Sequence, residues 1–414
     1  MLPKAKYFRH LFSLDLGTTK FCMATLQELP GQSGYSIATV SVPAGGMRRG
    51  MLANIEQAKV ALRSLLELAE KEFGTDIGRV VVGVAGSHLR SRVVSSSRSL
   101  TGSVVTAQDI LSLLEQVESD QPSEGRELLH TVPIGYRVDA RESVDDPLGF
   151  RGSTLSGEFF LIDADKNYMK DIVDVCNDSG LQVVRLYSEP FASASVTVPD
   201  SFKQLGVAIA DIGGGTTDGL VFKGGRPTFA FTVNVAGRLM TNDLAIGLSL
   251  SYEVAESVKL RFGIKPRLGD QMSVIDIRGE GRILGESHTS PVLLPRVQEL
   301  CSLLARELSA YRGTLGAGLL LTGGGADVIG ITDYFQSRLH IPVARARPML
   351  SADRGNSVTV EGALAQSPHP TRFATVIGLL NLEIGRLGDQ EKSRKSSWTN
   401  RYLGQFFNWV RELS

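Results

Sequence analysis

The sequence predicts an α/β fold built from two related halves around a cleft, with a smaller unit inserted in the first half. Three observations carry this. Apolar strand-like runs alternate with helical patterns, as in layered α/β architectures. One unit occurs twice: residues 12–14 lead through Asp15-Leu16-Gly17-Thr18-Thr19-Lys20 into a second apolar run, and residues 207–210 lead through Asp211-Ile212-Gly213-Gly214-Gly215-Thr216-Thr217-Asp218 into another. The copies lie too far apart for stacked repeats of about 20 to 50 residues, so they imply two halves facing each other. A third apolar run, 319–321, ends in Gly323-Gly324-Gly325.

The remaining elements follow in order. Residues 55–71 place Val60, Leu62, Leu65, Leu66 and Leu68 on a mixed helical face. Residues 86–157 differ in texture: a Ser- and Arg-rich alternation, a helical stretch at 107–117, a β-prone stretch at 131–138 and a glycine-rich loop, which together read as an inserted subdomain. Residues 381–397 are polar, charged and glycine-containing, and read as a linker.

At 414 residues and 44.7 kDa the chain is long enough for two or three domains, and 42% hydrophobic residues exclude disorder as its overall class. Lys and Arg number 44 and Asp and Glu 44, so no net charge draws the protein to nucleic acid, and none is expected as a partner. Cys22, Cys176 and Cys301 are widely separated and form no CxxC, which argues against a disulfide scaffold or zinc site and fits a reducing cytosol. The apolar run after Lys4, Lys6 and Arg9 is broken by Asp15, too soon for a signal peptide. No run approaches the ~18 apolar residues of a membrane span. The six histidines are scattered, without an HExxH.

The repeated hairpins suit a triphosphate. Glycine lacks a Cβ, so backbone N–H groups at Gly17, Gly213, Gly214 and Gly215 can approach phosphate oxygens closely. Thr18, Thr19, Thr216 and Thr217 add hydroxyl donors, and Lys20 a compact positive charge for the β- or γ-phosphate. Asp15 and Asp211, one from each half, would hold Mg²⁺ through its water shell, because that ion dehydrates reluctantly. Gly323, Gly324 and Gly325 could form a flat wall for adenine. Each turn alone is more often an ordinary hairpin, but three in order, two of them repeating, reverse that weighting and point to ATP. Other nucleotide signatures are missing: no G-x-x-x-x-G-K-[ST] occurs, and Asp218 stands where G-x-G-x-x-G needs its last glycine.

Both tryptophans fall near the C-terminus. At about 100° per residue, Trp398, Tyr402, Leu403, Phe406, Phe407, Trp409, Val410 and Leu413 gather on one side of a helix and polar residues on the other. Between 391 and 414 five basic residues, Lys392, Arg394, Lys395, Arg401 and Arg411, outnumber Glu391 and Glu412. Such a helix lies in the headgroup layer of an anionic membrane; the alternative is a helix packed on the protein's own core.

The motifs SLDLGTTK, AIADIGGGTTDG and LLLTGGGAD resemble the phosphate-1, phosphate-2 and adenosine motifs of the actin, heat-shock chaperone and sugar-kinase ATPase superfamily. Within it the chain is most similar to the FtsA family of bacterial cell-division proteins, which carries an extra subdomain where VVVGVAGSH ends. The resemblance implies a first lobe at 1–85 and 158–200, the inserted subdomain at 86–157, a second lobe at 201–230 and 313–380 with its own subdomain at 231–312, the linker at 381–397 and a membrane-targeting helix at 398–414. It makes Asp15 and Asp211 the Mg²⁺-side carboxylates and Asp218 a further acid of the phosphate site. Glu189 of SEPFASA would position the attacking water; otherwise it is an exposed acid before Pro190. Glu256 and Lys259 of AESVKLRFG, three apart on a helical face, would contact the ribose or form a surface ion pair.

For function the resemblance implies an ATP- and Mg²⁺-binding protein, at most a slow ATPase. It would sit at the cytoplasmic face of the division-site membrane and form protofilaments. It would bind the C-terminal peptide of FtsZ through the 231–312 subdomain, with Arg296 and Glu299 of LLPRVQEL as contacts, and other division proteins through the inserted subdomain. Two alternatives share the fold: a small-molecule kinase, which leaves the aromatic, basic C-terminus unexplained, and a PilM-like pilus-assembly protein.

Overall fold

The structure is a computed structural model, and it describes residues 10–28, 34–120, 123–265, 269–349, 357–359 and 369–395. The first lobe begins with the hairpin β1 (Phe12–Leu16) and β2 (Lys20–Glu28), then β3 (Gly34–Pro43), the short pair β4 (Met47–Arg48) and β5 (Met51–Leu52), α1 (Ile55–Phe73) and β6 (Arg79–Val84). Every residue of β1 is buried, as befits a strand paired on both sides and covered on both faces. The Asn54 side chain caps α1 by accepting from Gln57 N–H, and Gly74, at φ 67°, stops it. Ala58, Leu62, Leu65 and Ala69 recur at helical spacing and bury against the sheet, whereas Val60 faces solvent.

The inserted unit comprises β7 (Arg90–Ser99), α2 (Ala107–Asp120), β8 (Arg126–Val138) and β9 (Thr154–Asp165), with strand order β7-β9-β8. Ile110, Leu113 and Val117 of α2 pack on Tyr136, Leu155 and Phe159. The unit does not end at residue 157: β9 is its central strand and runs to Asp165, where fully buried Asp163 takes ion pairs from Arg92 and Arg126.

The chain returns through α3 (Lys166–Asp178) and β10 (Gln182–Ser188) to complete a six-stranded sheet ordered β10-β6-β1-β2-β3 and closed by a late strand, Ser357–Thr359. Helices α4 (Glu189–Thr197) and α5 (Asp200–Leu205) lead to the second lobe, which opens with β11 (Val207–Ile212), β12 (Thr217–Lys223) and β13 (Arg226–Val233). Its subdomain holds α6 (Gly237–Leu248), α7 (Tyr252–Phe262), the hairpin β14 (Met272–Ile275) and β15 (Gly281–Leu284), and α8 (Glu286–Glu307). Then come β16 (Gly318–Thr322), α9 (Ile331–Leu339), β17 (Val343–Arg345), β18 (Ser357–Thr359) and α10 (Ala374–Lys395). The second sheet is ordered β13-β12-β11-β16-β17, so β13 belongs to it as a whole and the lobe does not break at residue 230.

The two sheets repeat one plan. In each the first strand pairs antiparallel with the second and parallel with a later one: β1 with β2 and β6, β11 with β12 and β16. A shared core joins the lobes and the inserted unit, where Val132, Phe160 and Phe191 meet Ile209, Leu220 and Phe222.

Two expectations for the C-terminal third fail. Residues 381–395 are not a linker, because α10 continues through them to Lys395, with Val376, Ile377, Leu380, Ile384 and Leu387 at helical spacing against the first sheet. That packing places residues 374–380, and the pairing of β18 with β3 places residues 357–359, with the first lobe rather than the second. Gly378 lets α10 cross α4 closely, since a Cβ there would come within 1.8 Å of Ala192 O. The eight residues proposed for the membrane face, Trp398 to Leu413, lie outside the described residues.

Candidate functional site

The turns of the two hairpins meet at the mouth of a cavity of about 270 Å³ between the lobes. Their proximity is read from what a Cβ would strike. One on Gly214 would come within 2.4 Å of Thr19 Cγ2, and one on Gly215 within 2.2 Å of Thr18 Oγ1. Glycine is therefore needed for the close approach of the loops. The second turn is held by Gly213 N–H donating to Thr216 O (3.0 Å), and α6 is docked on it by Gly237 and Arg238 N–H donating to the carbonyls of Gly213 and Gly214 (3.0 and 2.8 Å). Gly323, at φ 81°, closes the far wall, where a Cβ would lie 2.3 Å from Asp211 Oδ1.

Asp15, Asp211, Asp218 and Glu189 all line this cavity. Burial raises each carboxyl above its ordinary range; at Glu189 and Asp211 the neighbouring acids add to the effect, whereas Lys20 opposes it at Asp15 and hydrogen bonds from Thr232 and Thr216 oppose it at Asp218. Asp211 is pushed up to about 7, chiefly by burial and further by the charges of Asp218 and Asp15, against the Thr375 hydroxyl that donates to its Oδ2 at 3.0 Å. Glu189 is raised well above its usual value by burial and then by Asp15, Asp218 and Asp211. It opens α4 and is not the exposed turn acid of the alternative reading. Asp218 accepts from Thr216 and Thr232 hydroxyls at 2.7 and 2.6 Å.

Lys20 Nζ is buried and makes no hydrogen bond among the described residues. It lies 3.9 Å from Asp15 and 4.9 Å from the centre of the Phe373 ring. An ammonium so placed lacks an anionic partner at bonding distance, which a phosphate would supply. Among the described residues no three His, Cys, Asp or Glu side chains converge to chelate a metal directly. The facing carboxylates therefore suit a hydrated divalent ion better than a stripped one.

Most of the residues singled out from sequence come together here: Asp15, Gly17, Thr18, Thr19, Lys20, Glu189, Asp211, Gly213, Gly214, Gly215, Thr216, Asp218, Glu256, Lys259, Gly323, Gly324 and Gly325. Thr217 does not. It is fully buried at the start of β12, and its hydroxyl donates to Val235 O at 2.7 Å, so it is no phosphate donor. Glu256 and Lys259 form a 2.6 Å ion pair, but not a surface one, because the lysine is buried and also donates to Thr241 Oγ1 at 3.0 Å. The sequence reading missed Gly50, Arg238, Tyr252, Asp327, Thr371, Arg372 and Thr375, which line the same cavity. Away from it, on α8, Arg296 pairs with Asp243 at 2.7 Å and with Glu299.

Two similar lobes, each presenting a glycine- and threonine-rich hairpin to a shared acidic cleft, define an actin-like α/β protein. Solved structures agree on the fold. The PilM–PilN type IV pilus biogenesis complex superposes with a TM-score of 0.62 at 16% identity, covering 90% of this chain and 97% of that one. MreB5 of Spiroplasma citri bound to ADP gives 0.53 at 15% identity, covering 92% and 98%. The chain belongs to the FtsA family. The family model for the SHS2 domain inserted in FtsA matches residues 86–162, and that for cell division protein FtsA matches 208–378. Cell division protein FtsA of Pseudomonas aeruginosa is 29% identical over 387 residues, 92% of this chain and 90% of its own. That of Escherichia coli is 25% identical over 428 residues, 99% of both chains.

Proposed function

We propose that this FtsA-family chain binds Mg²⁺·ATP in the cleft and tethers division machinery to the cytoplasmic face of the cell membrane at the division site. The observation that carries the nucleotide reading is the buried, unbonded Lys20 ammonium beside two facing carboxylates, Asp15 and Asp211. Lys20 and the backbone N–H groups of both turns would hold the β- and γ-phosphates. Asp15 and Asp211 would hold the ion through water, and Asp218 would steady Thr216. The ion would supply the charge that lets acid and phosphate groups share one cleft. Gly323, Gly324 and Gly325 would bound the base, and Glu256 and Lys259 would contact the ribose. Glu189 would orient water, giving at most slow hydrolysis.

The helix at 398–414 would anchor the protein on anionic lipid, and the closed lobes would self-associate into protofilaments. The FtsZ C-terminal peptide would dock on 231–312, its acidic groups competing with Asp243 and Glu299 for Arg296. The inserted subdomain would receive other division proteins.

Calorimetric titration of the full chain with Mg²⁺·ATP tests the cleft: Asp15→Ala and Asp211→Ala should each lose affinity, and unchanged affinity would end the assignment. Co-sedimentation with anionic vesicles, with and without residues 396–414, tests the anchor. Membrane binding that survives truncation would favour the PilM-like reading, and phosphate transfer to a sugar panel the kinase reading.

A further inference from the structure

The turn between β4 and β5 reaches the cleft through Gly50, and neither the sequence motifs nor the matched family segments include it. Its two central residues, Arg49 and Gly50, have φ of 52° and 71°. A two-residue hairpin loop with both φ values positive is normally Asn-Gly, because asparagine tolerates the left-handed region. Arginine there is an uncommon and costly choice, and such conformations persist where surrounding contacts fix them. These contacts are present. Gly50 N–H donates to Thr18 Oγ1 at 2.9 Å, and the Tyr168 hydroxyl donates to Gly50 O at 2.9 Å. The turn is also wedged against the second lobe: a Cβ on Gly215 would lie 2.9 Å from Arg49 Cα, and one on Gly50 3.3 Å from Thr216 Cγ2. The turn thus touches both phosphate hairpins at once, through Gly50 to Thr18 and through Arg49 and Gly50 to the second hairpin, while the Arg49 side chain is exposed.

Charge makes the position informative. Four acids line the phosphate end of the cleft; of its lining cations Lys259 is already paired with Glu256, the charges of Arg238 and Arg372 act on Tyr252 and Lys259, and Lys20 stands beside Asp15. We propose that the β4–β5 turn is a third phosphate-side element, and that Arg49 supplies charge to the terminal phosphate of a bound nucleoside triphosphate. The cleft then prefers tri- to diphosphate. This rests on the ATP reading above.

The test uses the full chain and its Mg²⁺·ATP and Mg²⁺·ADP affinities. Arg49→Asn keeps the turn, with an unchanged or higher melting temperature, but removes the charge. ATP affinity should fall about tenfold, as for the loss of one charge-assisted contact, while ADP affinity moves less than about twofold. Arg49→Lys should recover most of the loss, and the difference should shrink in high salt. If Arg49→Asn leaves both affinities unchanged, or lowers both equally, Arg49 does not read the terminal phosphate and only this inference fails. If the wild-type chain binds neither nucleotide, the ATP reading fails and this one with it.

Discussion

The contact between the two hairpins can be tested by steric coupling. In Gly215→Ala the new methyl would lie 2.2 Å from Thr18 Oγ1, 2.8 Å from Thr18 Cβ and 2.9 Å from Arg49 Cα. Rotating one side chain cannot relieve all three, since two of the obstacles are a Cβ and a backbone atom. Forced overpacking of this kind costs about 1–3 kcal/mol. Thr18→Ala alone removes the acceptor of Gly50 N–H and should cost about 1 kcal/mol. It also removes the nearest obstacle, so the double variant should be destabilised by less than the sum of the singles, with a coupling of at least about 0.5 kcal/mol. The assay is urea denaturation of the four proteins without nucleotide, comparing midpoints at constant slope. Additivity would show that the loops do not touch across the cleft, and the site built on their contact would fall.

Other expectations follow from the buried charges. Asp211 titrates near 7 in the folded protein against an ordinary 3.8, so from about pH 4 upward the unfolded chain has released a proton that the folded chain keeps. Its contribution to stability without a bound cation therefore declines as pH rises to about 7, and Asp211→Asn should flatten that decline in pH-dependent melting. Over the same range Mg²⁺·ATP affinity should rise with pH, and Thr375→Val, which deletes a hydrogen bond to the Asp211 carboxylate, should move the midpoint upward. Glu256→Leu leaves Lys259 buried without its partner and should cost about 3 kcal/mol in denaturation, whereas an exposed pair would cost under about 1. His130 Nε2 accepts Ser188 N–H at 2.9 Å beside Glu189, so His130→Leu should cost about 1–3 kcal/mol and His130→Gln less.

The hairpins were legible because their chemistry is local: a strand, an acid, glycines and hydroxyls in one short stretch. Thr217 shows the limit of that reading. Strand side chains alternate faces, so when Thr216 turns toward Asp218 its neighbour must turn to the other side. Thr375, Arg372 and Asp327 reach the cleft from separate elements, and no spacing in the sequence joins them to Asp211. Residues 381–395 read as a linker because Gly385 and Gly388 stand among polar and charged residues, but Ile384 and Leu387 continue the apolar stripe of Val376, Ile377 and Leu380 along one helix. The turn at Arg49 carried no signal, since only its dihedral angles mark it.

Helix α10 begins with Thr375 bonded to Asp211 and stays helical to Lys395. At about 1.5 Å per residue, its 22 residues form a rod of about 33 Å. If residues 396–414 anchor the protein as proposed, the anchor is joined to Asp211 by a stiff shaft rather than a slack cord, and a tilt of the first lobe would swing the far end of that shaft.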